Sequence, residues 1–151
     1  MHLRPIRYRR AQRSDCDAIF ALLNAAGFAA NAERRADRSR FRRIVADLGG
    51  DLYVATMDEH LVGVVHLTYA RHLVEGQRAT LELLLVTPDA RGRGVGRGLA
   101  ALAAARARAR RCRWLTHGDG GLDEPGRAFL ARLGWRPMGE QWCFEVSTQL
   151  E

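Results

Sequence analysis

Residues 87–100 read TPDARGRGVGRGLA, in which Gly92, Gly94, Gly96 and Gly98 alternate with Arg91, Arg93, Val95 and Arg97. Three kinds of structure use such a stretch: a disordered RG tract, a nucleotide-binding turn, and a loop that cradles a small phosphorylated molecule. The flanks choose among them. LELLLV at 81–86 is the most apolar strand-like run in the chain, and Gly98 to Arg111 is an alanine-rich helix former. A disordered tract needs long repeats and few apolar neighbours. This one is short and wedged between a strand and a helix, so it is an ordered turn. Pro88 stops the strand, and TPDA steers the chain into the loop.

A Walker loop requires a lysine after its last glycine, and all 24 basic residues of this chain are arginine. Gly96-Arg97-Gly98-Leu99-Ala100-Ala101 fits the pattern G-x-G-x-x-A. A dinucleotide fingerprint follows its strand directly, however, and here the match begins ten residues beyond Val86, inside the helix. The third reading uses the whole stretch. Glycines at 92, 94 and 96 permit φ > 0 and let backbone N–H groups approach a ligand. Those amides run into a helix N-terminus, where free N–H groups and the dipole favour an anion. A pyrophosphate suits that place.

Working outward, Ile6 to Arg10 reads as a short strand. Ser14-Asp15 caps a helix with an apolar stripe of Ile19, Phe20, Leu22 and Leu23, up to Gly27. A second helix follows the polar stretch Asn31 to Asp37. It carries Phe41, Ile44, Val45 and Leu48 and ends at Gly49-Gly50. DLYVATMDEHLVGVVHLTYA is a hairpin around an Asp-Glu-His turn, and RATLELLLVT is a strand apolar enough to be buried on both faces. RWLTH is another strand. Pro125 opens a helix that runs to Leu133-Gly134, and Trp135-Arg136-Pro137 and QWCFEVS are closing strands. The sum is one mixed α/β sheet in a single domain over 1–151, with no linker or internal repeat.

Composition narrows the partners. The chain has 151 residues, 47% of them hydrophobic, 27% charged, and a net charge of +7. That is a globular balance with a bias towards anionic ligands. The exclusive use of arginine with abundant alanine fits a coding bias, so charge alone does not argue for nucleic acid. Cys16, Cys112 and Cys143 are far apart and odd in number, which favours a reducing compartment over disulfides or zinc. The five histidines have no metal-ligand spacing, and no apolar run is long enough to span a bilayer. The expectation is a cytoplasmic protein with no metal, no membrane and no nucleic-acid partner.

Val86-Thr87-Pro88-Asp89-Ala90-Arg91-Gly92-Arg93-Gly94-Val95-Gly96 resembles the acetyl-CoA signature of the GNAT superfamily of N-acyltransferases. Its core, Q/R-x-x-G-x-G/A, is met by Arg91, Gly94 and Gly96. The resemblance extends to the order of elements over nearly the whole chain and, more loosely, to AFLARLGW at 128–135. It implies a mainly antiparallel mixed sheet with helices on both faces and a splayed central strand pair. The pantetheine arm of acetyl-CoA would lie in that gap, paired with the backbone of Leu84, Leu85 and Val86. The amides from Arg91 to Gly96, with Arg97 and Gly98, would hold the pyrophosphate. An N–H near Val86 would polarise the thioester carbonyl. Arg91, Arg93 and Arg97 would add charge beside the phosphates.

The implied reaction is direct attack of a primary amine on the thioester in a ternary complex. It needs a base for the ammonium and help for the leaving thiolate. Glu82 is the base candidate: it is the only charge in LELLLV, and strand alternation puts it on the face of Leu84 and Val86. Desolvation among leucines would raise its pKa; the competing reading is a carboxylate that reaches solvent or pairs with an arginine. Many family members carry a tyrosine where this chain has Leu130, after Phe129, which is placed against the core or pantetheine. Asp123 matches a frequent asparagine seven residues earlier. With Leu130 unable to donate a proton, three explanations stay open: His117 as the acid, protonation by water, or a domain that binds CoA with little catalysis. The acceptor pocket would be built from the first two helices and their connection, AAGFAANAERR, with Tyr53, His66 and Tyr69 as candidates to line it. Acetyltransferase and CoA-binding sensor are therefore the two readings, with a homodimer through the closing strands compatible with either.

Overall fold

The computed structural model describes residues 4–118 and 122–139, which form two compact units divided after His117. In the first unit, β1 (Ile6–Arg10), β2 (Asp51–Met57), β3 (His60–His72), β4 (Gly76–Val86) and β5 (Leu115–Thr116) form one sheet in sequential order. The first three pairings are antiparallel and β4–β5 is parallel. Helices α1 (Cys16–Ala25) and α2 (Arg35–Ala46) precede β2, and α3 (Val95–Ala109) joins β4 to β5. The mixed, mainly antiparallel α/β sheet expected from the sequence is the one observed.

Neighbouring strand residues face opposite sides, and β3 shows both. Val64 packs in a core with Leu52, Val54 and the α1–α2 residues Ile19, Phe20, Leu22 and Phe41, where the Phe20 and Phe41 rings meet edge to face at 5.9 Å. Gly63 faces α3: a Cβ built there would lie 2.9 Å from Leu99 Cδ1, 3.0 Å from Val95 Cγ1 and 3.1 Å from the Leu85 carbonyl oxygen. The absent side chain lets α3 press onto the sheet. Gly63→Ala is expected to destabilise the fold by about 1–3 kcal/mol through overpacking, read as a lower urea midpoint with an unchanged slope.

The β2–β3 turn is two residues, Asp58 and Glu59, both with φ > 0 (48° and 66°), the requirement of a type I′ hairpin; His60 already belongs to β3. The helix boundaries depart from expectation for local polar reasons. Asp15 stands at the N-cap of α1, as expected, but its side chain makes no bond to the helix's first turn. Its carboxylate accepts from both Arg9 guanidinium nitrogens (2.7 and 2.8 Å) and from the Gln12 N–H (2.7 Å), pinning β1 to a 3-10 turn at Arg13–Asp15. The Arg9 hydrogen bonds hold its pKa below the usual carboxylate range despite burial. Helix α2 ends at Ala46, short of Gly49-Gly50, because Asp47 Oδ1 accepts the Gly49 N–H at 2.7 Å in an Asx turn. Leu48 is consequently exposed.

The second unit holds α4 (Glu124–Arg132). Asp123 Oδ1 caps it by accepting the Gly126 N–H at 2.8 Å. It stops in a Schellman motif: Gly134 at φ 88° donates to Ala131 O, and Trp135 N–H to Leu130 O, both at 3.0 Å. Trp135-Arg136-Pro137 forms no strand, and QWCFEVS lies outside the described residues.

Candidate active site

Among the described residues the sheet is irregular at two places, at Val62 of β3 against β2 and at β4. The register of β4 with β3 runs Leu81↔Leu67 and then Leu83↔His66, so Glu82 is an extra residue, a bulge. A bulge resets alternation. Thr68 pairs with Thr80 and donates through Oγ1 to Glu82 Oε1 at 2.5 Å, which places Glu82 with Thr68, His66 and Leu83 on the α1–α2 face. Leu84 and Val86, opposite Val65 and Gly63, face α3. The expected shared face of Glu82 with Leu84 and Val86 is thus corrected. So is its expected burial among leucines: the Glu82 side chain is exposed, and β4 is buried on both faces only in part.

The other edge of β4 is open. The parallel pairing with β5 covers only Ala79↔Leu115 and Thr80↔Thr116, and His117 is the first residue past that junction. From Leu81 to Val86 no described strand borders this edge, which leaves Leu84, Leu85 and Val86 with one strand neighbour, β3.

β4 then runs into a 3-10 turn at Pro88–Ala90 and the loop 91–94. Gly92 (φ 75°) and Gly94 (φ 86°) take the left-handed conformation, with nothing within 4 Å of a Cβ built on either. Gly96 does not share it; α3 begins at Val95, and Gly96 and Gly98 are helical. Gly94 is the N-cap and offers no side chain to the first turn. The ladder of α3 opens with Gly98 N–H to Gly94 O at 3.0 Å, so the Val95, Gly96 and Arg97 amides stand ahead of it. Arg91, Arg93 and Arg97 are exposed and form no ion pair among the described residues. Open space over two left-handed glycines, a free helix start and three unpaired cations together fit a pyrophosphate.

On the α1–α2 face a cavity of about 180 Å³ lies beside the bulge, bounded by α1, α2, the loop between them and strands β2 to β4. His66 and Leu83 line it. Burial pushes the His66 imidazole below its ordinary pKa, partly offset by the Glu82 and Asp47 carboxylates, so the ring is neutral at pH 7. Tyr53 and Tyr69, grouped with His66 in the sequence reading, are not part of this lining. They face α3, where Arg10 and Arg106 stack on Tyr53, and Arg110 lies 4.2 Å from the Tyr69 ring centroid. Alternation along β3 already sets His66 and Tyr69, three residues apart, on opposite faces; what the sequence did not show is which of those faces carries the cavity. Asp123 and Phe129 belong to the second unit, with Asp123 engaged as the α4 cap.

A strand carrying a bulge and an open edge, followed by a left-handed glycine loop at a helix start, offers the backbone groups that the sequence resemblance leads one to expect of an acetyl-CoA site. The profile of the acetyltransferase (GNAT) family matches residues 16–135, and the chain belongs to that family. GNAT enzymes use acetyl-CoA and act on amine acceptors. Solved structures share the fold at low identity. An aminoglycoside N-acetyltransferase in complex with CoA is 15% identical, with a TM-score of 0.82 over 96% of this chain and 97% of that one. An aminoglycoside 6'-N-acetyltransferase from Acinetobacter baumannii is 15% identical (TM-score 0.80; 95% and 99% covered). A ribosomal-protein-alanine N-acetyltransferase from Brucella melitensis biovar Abortus 2308 is 18% identical (TM-score 0.75; 94% and 100%). No curated protein is a significant match to the sequence. Among the described residues, no group of three or more His, Cys, Asp or Glu converges as metal ligands would, and no helix is long and apolar enough to cross a membrane.

Proposed function

We propose that this chain is an acetyl-CoA-dependent N-acetyltransferase of a primary amine, with its whole length acting as one domain. The carrying observation is the path from a bulged strand with an open edge, through Gly92 and Gly94 at positive φ, into the free start of α3. The family match runs through both units, which supports a single domain. When bound, acetyl-CoA supplies the activated acyl group as a thioester. The Val95–Arg97 amides and the Arg91, Arg93 and Arg97 guanidiniums hold the phosphates, while the open backbone edge of Leu84, Leu85 and Val86 orients the pantetheine.

Glu82 takes the ammonium proton. Its place at the bulge, its orientation by Thr68 and its exposure to an incoming amine support that role. His117, the first residue past the β4–β5 junction, donates to the departing thiolate in place of the tyrosine that Leu130 replaces. Glu82→Gln is expected to lower kcat about 100-fold at neutral pH, with CoA affinity unchanged. The deficit shrinks as pH rises, because more of the amine is then already deprotonated. An unaltered pH–rate profile would remove Glu82 as the base. The overall reading is tested by amine-dependent thiol release from acetyl-CoA. CoA binding with no release across a broad amine panel would favour the sensor reading instead.

A further inference from the structure

The cavity beside the bulge carries information about the acceptor. Its walls are apolar: Phe20 and Leu23 from α1, Phe41 and Ile44 from α2, Leu52 and Leu83 from the sheet. At about 180 Å³ it is comparable with apolar cavities of about 150 Å³ that take up a benzene ring. Its polar groups are few. His66 sits at the sheet, neutral, on the face that bears Glu82. Asp37 and Arg40 come from α2.

Asp37 is the one carboxylate in that lining, and it is already engaged. Its Oδ2 accepts the Asn31 N–H at 3.1 Å and lies 4.0 Å from Arg34, and its Oδ1 lies 3.5 Å from Arg40. Helix α2 as a whole carries five arginines against this single aspartate. A second or third ammonium on the acceptor would thus find no free anion in the cavity and a dense positive field along α2. Like charges at such distances suppress binding and slow encounter.

Resting on the reading above as an amine acetyltransferase, we infer that the acceptor is a monoamine with a compact apolar arm, arylalkyl or branched alkyl. The arm fills the Phe20–Phe41–Leu83 cavity and the amine lies at the Glu82–His66 end. Polycations such as polyamines and aminoglycosides are rejected by α2. In the transfer one ammonium proton passes to Glu82, the freed amine nitrogen forms a bond to the acetyl carbonyl carbon, and the carbon–sulfur bond breaks with its electron pair on sulfur. The second nitrogen proton is lost as the amide forms, and the thiolate takes up one proton, by way of His117, to leave as the free thiol. The acceptor class of this chain then differs from that named for the two aminoglycoside enzymes sharing its fold.

The test uses the full-length protein with phenethylamine, isoamylamine, spermidine and kanamycin, read in two ways: thiol release from acetyl-CoA, and calorimetric binding of each amine with and without CoA. Phenethylamine is expected to show a kcat/KM at least tenfold above spermidine and kanamycin, and to bind where they do not. Ile44→Trp, which fills the cavity, should raise the KM for phenethylamine at least tenfold with CoA affinity unchanged. Arg40→Glu, an exposed change, should raise spermidine turnover several-fold. Faster turnover of spermidine or kanamycin than of phenethylamine, or no binding of phenethylamine in either state, overturns the inference. Binding of phenethylamine with no thiol release from any amine upholds the ligand class and sinks the transferase reading instead.

Discussion

Replacing Gly94 by aspartate is expected to weaken CoA binding at least 100-fold while leaving the chain folded. The residue sits at φ 86°, and nothing lies within 4 Å of a Cβ built on it, so the side chain meets no clash. The left-handed conformation costs an L-residue about 1–2 kcal/mol, and aspartate is among those that tolerate it best. A domain of this size withstands that. The ligand does not, because Gly94 caps α3 and its side chain would stand beside the Val95, Gly96 and Arg97 amides. A carboxylate there occupies the anion site and repels a phosphate. A hundredfold loss corresponds to about 2.8 kcal/mol. Gly94→Ala, which adds bulk without charge, should lose less. Calorimetry with CoA, alongside circular dichroism to confirm folding, reads the difference. An unchanged Kd in folded Gly94→Asp would contradict the loop assignment.

The second large effect concerns stability. Asp51 on β2 has a fully buried side chain and gathers four partners. Arg10 of β1 approaches Oδ1 at 2.6 Å, and Tyr69 of β3 donates to Oδ2 at 2.6 Å. Arg106 of α3 reaches both oxygens at 3.1 and 3.3 Å, with Arg110 at 3.8 Å. One carboxylate therefore ties three strands to α3. Burial alone would raise its pKa, but the hydrogen bonds from Arg106 and Tyr69 and the arginine charges overcome this and hold it below the usual carboxylate range. The sign follows from linkage. A depressed folded-state pKa contributes stability that is present above the unfolded value of about 3.9 and is lost as pH falls through the folded one.

Asp51→Asn keeps the shape but strips the charge from the arginines. It is expected to cost about 3 kcal/mol at pH 7, the low end for breaking a buried pair, since the arginine tips are partly exposed and recover water. Urea midpoints should differ widely at pH 7 and draw together below about pH 4. Equal midpoints at pH 7 would show that the network contributes no net stability.

The legible and illegible parts of the site divide along physical lines. The glycine loop could be read because φ > 0 and a helix start each need a particular residue type at a particular place: Gly92 and Gly94 do what their sequence implies. Strand order and the hairpin at Asp58-Glu59 follow from alternation and turn length. The Glu82 bulge leaves no such mark. It is an agreement between two strands about register, so single-strand alternation assigned the wrong face. Alternation alone separates His66 from Tyr69, but which face each would present was settled by packing such as the Asp51 network, whose carboxylate lies 59 residues from Arg110. Asp15 and Asp47 show a related gap. Asp15 was read as a helix cap and Asp47 fell within the stretch read as helix, yet which backbone or guanidinium group each meets is decided only once β1 and α2 are in position.

The most direct measurement is release of free thiol from acetyl-CoA by the purified protein, with and without a primary amine. The account predicts release that rises and saturates with amine concentration, accompanied by one acetylated amine per thiol, and that Glu82→Gln removes most of it. CoA binding without amine-dependent release would contradict the account as an enzyme, and no CoA binding at all would contradict its reading of the loop.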